Sequence, residues 1–176
     1  PPHFENLKLF VHNRPFWALS VFFMLAGTCA MGVFNVLPTY LMVEHHYSEQ
    51  LVNTLVGVSR ISAFAAIFAA GGLADRFGIR VVIGVIIGVT GALTLGLGFA
   101  SGTTLLVVVF LQPIVVGSFF PVGLSALANT TPPGARNLAV ALAIPLANIV
   151  GAGAAPWLFA ALGSAGYFSA SFVGLG

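Results

Sequence analysis

No charged residue occurs between Arg80 and Arg136. A water-soluble domain usually carries about 25% charged residues to keep its surface hydrated. Here 59% of residues are hydrophobic and only 6% are charged, so a soluble globule is excluded and the chain must meet lipid. Apolar content is also too high for a disordered chain, and the glycines follow no three-residue collagen period. The net charge of +2 does not make a nucleic-acid binder, because the basic residues are scattered singly, without a stripe or interleaved aromatics. Cys29 is the single cysteine; it forms no disulfide framework within the chain, no zinc spacing accompanies it, and no metal or cofactor is expected.

About 20 predominantly apolar residues cross the roughly 30 Å bilayer core as a helix. The charge-free intervals give spans at about 15–42, 50–73, 79–99, 103–128 and 138–162, with part of a sixth at 167–176. The expected fold class is all-α integral membrane. Pro38, Pro113, Pro121, Pro145 and Pro156 are expected to kink or break their helices. Gly84 and Gly88 suggest a close helix approach on the third span. With only Thr90 and Thr94 as polar side chains, that span reads as peripheral and lipid-facing.

Lys8, Arg14, Arg76, Arg80 and Arg136 all fall on one side of the zigzag, and the opposite loops contain no Lys or Arg. Cytoplasmic loops carry the basic excess, so the N-terminal end is expected in the cytoplasm and the host is expected to be the plasma (inner) membrane. The chain opens Pro1-Pro2 with neither Met nor signal peptide and reads as a fragment of a longer polypeptide.

After the second span comes Gly71-Gly72-Leu73-Ala74-Asp75-Arg76-Phe77-Gly78-Ile79-Arg80. It resembles the signature loop G-x-L-a-D-r-x-G-r-[rk] of the major facilitator superfamily at Gly71, Leu73, Asp75, Arg76, Gly78 and Arg80, with Ile79 departing from the usual basic residue. Pro132-Pro133-Gly134-Ala135-Arg136 is similar to the Pro-x-x-Arg stretch before the fifth helix of a half. Asn35-Val36-Leu37-Pro38-Thr39-Tyr40-Leu41 is similar to the seventh-helix ending of several organic-anion branches. The resemblance implies a C-terminal half, helices seven to eleven and part of twelve, built as two inverted three-helix repeats. Residues 1–14 would end the central linker and 15–176 would form the half-domain, its partner being the missing N-terminal six-helix half. The substrate site would lie between the halves near the midplane.

Arg60 lies about nine residues from the outer end of its span and about twelve from the inner end, roughly 14 and 18 Å from the two faces. A cation there needs an anion, water or a substrate; the alternatives are a carboxylate of the missing half or a misplaced span boundary. A guanidinium fork suits carboxylate or phosphate oxygens. Asn53, Gly57 and Arg60 share a helical face. Thr28, Gly32, Asn35 and Thr39 make a similar stripe on the first span, and Asn148 sits with Ala141, Pro145 and Gly151 or Ala152 on the fifth. Arg60, Asn35, Asn148, Gln112 and Asn53 are the candidate substrate contacts; for the amides an interhelical hydrogen bond is the alternative. Tyr40 reads equally as an interfacial anchor or a ligand group. The segment Glu44-His45-His46-Tyr47-Ser48-Glu49 reads as a solvated loop, and Trp17 and Trp157 as interfacial anchors.

There is no G-x-S-x-G, H-E-x-x-H or phosphate-loop motif, and an enzyme is not expected. The expected function is transport of a small solute, an organic or inorganic anion, by alternating access. The alternative is a transport-inactive membrane sensor or assembly partner with the same fold.

Overall fold

The computed structural model describes Phe10 and residues 13–176. The expected linker end, Lys8 included, lies almost wholly outside the described residues. In hydrocarbon each backbone N–H and C=O must be satisfied within its own segment or by close neighbours, and each charge-free interval accordingly folds as a helix. These are α1 (Arg14–Val43), α2 (Glu49–Phe77), α3 (Ile79–Phe99), α4 (Gly102–Thr130) and α5 (Arg136–Ser164), all long and apolar enough to cross a membrane. A short α6 (Phe168–Leu175) follows. No strand occurs among the described residues, and the all-α membrane class stands.

Helix ends follow local chemistry. The Asn13 side chain accepts the Phe16 N–H at 3.2 Å to open α1, and Ser48 Oγ accepts the Leu51 N–H at 3.4 Å to open α2. The second helix continues past the expected end near residue 73, through Asp75 and Arg76, to Phe77. Charged residues beyond the hydrocarbon can stay helical while hydrated. Only Gly78, at φ 87°, separates α2 from α3, a conformation that favours glycine. The signature segment is therefore a helix end, one hinge residue and a helix start rather than a loop.

Prolines behave unequally. Pro121 cannot bond the Gly117 carbonyl and crowds it, and α4 breaks at Ser118. Pro156 faces the Ala152 carbonyl in the same way, and α5 widens to a π-helical turn over Ile149–Ala154. Pro38, Pro113 and Pro145 remain inside α-helical stretches, so no break occurs at these three. Conversely α1 widens over Thr28–Gly32, where no proline stands.

The two widened turns meet. A Cβ on Gly151 would lie 2.6 Å from the Gly27 carbonyl oxygen and 2.8 Å from the Thr28 nitrogen, so α1 and α5 touch backbone to backbone. Gly84 and Gly88, expected to do this on α3, have open space where a Cβ would stand, with no neighbouring atom within 4 Å. They share the outward face of α3 with Val81, Val85 and Val89. A close approach of α3 is instead at Gly98, where a Cβ would sit 2.7 Å from the Ser169 carbonyl of α6.

One apolar core, with Phe16, Phe23, Phe119 and Leu127, lies towards the end that carries Arg76, Arg80 and Arg136. The other, with Tyr40, Leu97, Leu105 and Phe172, lies towards the opposite end. Tyr40 is neither anchor nor groove-lining: it is buried and donates to the Leu97 carbonyl at 2.6 Å. The 44–49 connection is tied down more than a solvated loop would be. His45 Nε2 is 2.9 Å from the Tyr40 hydroxyl, Tyr47 donates to the Gly102 carbonyl, and Ser169 donates to Glu44. Trp17 and Trp157 are exposed.

Candidate functional site: a groove at mid-depth

The buried edge of α2 is made by Val52, Val56, Ser59 and Ala63, and Asn53, Gly57, Phe64 and Phe68 stand on its exposed side. Arg60 sits between the two edges, half-buried near the middle of the helix. Its guanidinium carbon lies 3.4 Å from the centroid of the Phe34 ring on α1, a cation–π contact worth about 0.5–2 kcal/mol depending on desolvation. Nη2 donates to the Ala30 carbonyl at 3.4 Å, the outer limit of a hydrogen bond. Nε is buried, with no acceptor among the described residues. The chain's acids are Glu5, Glu44, Glu49 and Asp75; Glu49 and Asp75 lie at the ends of α2, and none lies in the apolar middle of a span. The cation is held by one long bond and one ring face.

Ala30 and its neighbour Cys29 belong to the widened turn of α1. Gln112 of α4 reaches the same turn, donating from Nε2 to the Cys29 carbonyl at 2.9 Å. It is 3% exposed, so its amide is used between helices and does not face the groove.

The polar stripe expected on α1 divides at this turn. Thr28 and Gly32 are buried, while Met31, Asn35 and Thr39 are exposed, because a π-helical turn shifts the helical phase. On α5, Asn148 shares its exposed side with Ala141, Pro145 and Ala152, and Gly151 is turned inward against α1.

A groove of about 230 Å³ adjoins Arg60 and is lined in part by Met31, Ala63, Phe64, Ile67 and Phe120. A second recess of about 90 Å³ shares Met31 and Phe120 and ends at Ile144 and Asn148. Arg60 and Asn148 thus stand on either side of a Met31–Phe120 partition. Asn35 lies one turn from Met31, and Asn53 two turns from Arg60, both outside the lining of these two recesses. The aromatic part of the wall was not singled out from sequence. Phe64 was accessible to the same periodicity that joined Asn53 to Arg60, since it stands four residues further along that face.

At the basic end, Asp75, Gly78 and Arg80 line a shallow depression with Ala74. Gly71 is half-buried and Arg76 is exposed, its guanidinium 5.4 Å from the Phe77 ring.

This arrangement places Arg60 on a groove near the middle of its helix and Asn148 beyond the Met31–Phe120 partition, with a charged helix hinge at one end. The family model of the Major Facilitator Superfamily matches residues 19–176. The chain belongs to the major facilitator superfamily. No curated protein and no solved structure matches it. Membership in this superfamily carries membrane transport of a solute.

Proposed function

We propose that this chain is the C-terminal half of a transporter that carries a small anionic solute by alternating access, with Arg60 holding the negative charge. The observation behind the reading is the under-satisfied guanidinium: Nε buried without an acceptor among the described residues and Nη2 on a long bond. An anion in the groove draws the side chain off Phe34 and accepts the N–H groups that the described residues leave unmatched. Asn148, beyond the Met31–Phe120 partition, orients the solute, and Asn35 and Asn53 meet it along its route. Gln112 keeps the α1 turn in shape. A six-helix N-terminal half supplies the opposite wall. The end with Arg76, Arg80 and Arg136 faces the cytoplasm of a plasma (inner) membrane. There Asp75 latches against that other half, and Gly71, Gly78, Arg76 and Arg80 shape the latch.

Uptake by full-length protein in liposomes tests the reading, screened over carboxylates, oxyanions, sugars and cationic drugs. Anion uptake that is saturable and lost in Arg60→Gln is expected. Unaltered anion uptake in both Arg60→Gln and Arg60→Lys would remove Arg60 from the site.

A further inference from the structure

Resting on Arg60 as the anion site, we infer that the solute is an amphipathic monoanion, a single carboxylate on an apolar body. Among the described residues, Arg60 is the only side chain lining its groove that carries a nitrogen or oxygen; Met31, Phe64, Ile67, Pro113 and Phe120 are among the rest. Arg60 is also the only Lys or Arg in the apolar middle of a span, the other five, Lys8, Arg14, Arg76, Arg80 and Arg136, lying at or beyond span ends. A second negative charge would find no second cation on this wall. On this wall, inorganic phosphate and dicarboxylates are disfavoured for that reason.

Hydroxyl groups fare no better. A sugar acid entering this groove would exchange water for methyl, thioether and ring surfaces, leaving its hydroxyls unpaired. An apolar body gains from the same surfaces, because area leaves water on both sides of the contact. The thioether of Met31 and the Phe120 ring also suit an aromatic solute, since sulfur and ring edges pack favourably against π faces. Carboxylate and ring are then placed together: the head on Arg60, the body against Phe64, Met31 and Phe120.

The test uses full-length protein in liposomes, with labelled benzoate, acetate, gluconate and inorganic phosphate as probes. Benzoate should show a KM at least about tenfold below that of acetate, with phosphate and gluconate at background. Phe64→Ala and Phe120→Ala should each reduce the benzoate-to-acetate preference, and Arg60→Gln should abolish uptake of both. Phe64→Leu, which keeps an apolar side chain of similar reach, provides a second variant should the alanine protein not fold, and should keep an intermediate preference. Phosphate or gluconate carried as well as benzoate, with Arg60 still required, would overturn the monoanion inference and leave the anion site standing. A benzoate preference unchanged in the folded Phe64 and Phe120 variants would do the same. Uptake of none of the four anions, or benzoate uptake indifferent to Arg60→Gln, would remove the anion site itself and this inference with it.

Discussion

Arg60 and Gln112 reach adjacent carbonyls of one widened turn, Ala30 and Cys29, from two different helices. Gln112 makes a 2.9 Å bond and is almost wholly buried. Arg60 makes a 3.4 Å bond, keeps a buried Nε without an acceptor among the described residues and borders a groove. Both are large polar side chains deep in a membrane helix, and their chemistry alone does not separate them. What separates them is how fully the partners within this half satisfy each one. A polar group already matched inside the bundle holds helices together, whereas one left short of partners has capacity for something that comes and goes.

The largest effect that could break this contrast comes from Arg60→Met. Losing a charge-assisted hydrogen bond costs about 1.5–3 kcal/mol, so anion uptake should fall by roughly 10- to 150-fold at 1.4 kcal/mol per decade. The folded protein should be no less stable, because an Arg at mid-depth costs about 2.5–3.5 kcal/mol on insertion scales and its groove is otherwise apolar. Thermal unfolding in detergent, run beside liposome uptake, reads both quantities. A variant that unfolds earlier and still transports would make Arg60 a second Gln112.

The turn that both side chains cap depends on the crossing of α1 and α5. In Gly151→Ala the new methyl meets the Gly27 carbonyl oxygen at 2.6 Å and the Thr28 nitrogen at 2.8 Å. Backbone cannot yield as a flexible side-chain tip does, and overpacking of this kind costs about 1–3 kcal/mol. A lower unfolding temperature is expected, together with weaker uptake, since the Ala30 carbonyl and the Met31 side of the groove move with the turn. Unchanged stability would mean that the crossing is looser than the geometry shows and that the turn is set by α1 alone.

How much of this was open to reading in sequence divides along the same line. Charge-free intervals located α1 to α5 because lipid admits so few solutions, and only the ends differed, as at Asp75 and Arg76, where hydration and helix are compatible. Arg60 stood out because charge at mid-depth is costly wherever the chain turns it. Gln112 and Tyr40 could not be placed from sequence, since each spends its polar atoms on a carbonyl distant along the chain, Cys29 and Leu97. The split of Thr28 and Gly32 from Asn35 and Thr39 was hidden too: a π-helical turn shifts the phase that periodicity assumes, and it packs against Gly151 with no local proline to signal it.

Gln112→Leu should have a smaller effect, confined to stability. Interhelical hydrogen bonds in membranes average about 0.6 kcal/mol and reach about 1.7, and the leucine leaves the Cys29 carbonyl without its 2.9 Å donor. Uptake measured in liposomes should stay within about twofold of the parent, because the buried amide does not face the groove and its loss is borne by stability. A fall comparable to that of Arg60→Met, with unfolding unchanged, would mean that the amide turns towards the solute during the cycle, and the contrast between the two side chains would collapse.

The smallest effect belongs to Gly84→Ala, which serves as the control for Gly151→Ala. Both glycines sit in membrane-spanning helices, but a Cβ at Gly84 has no neighbour within 4 Å and its face also carries the exposed Val81 and Val85. Surface substitutions away from special features fall within about 0.5 kcal/mol, and alanine is the better helix former by about 1 kcal/mol, so unchanged or slightly raised thermal stability is expected. If instead Gly84→Ala costs as much as Gly151→Ala, the outward face of α3 is packed against another helix in the full protein. The lipid-facing surface would then have to be sought elsewhere, and Gly84 and Gly88 would regain the close-packing role that their spacing suggests.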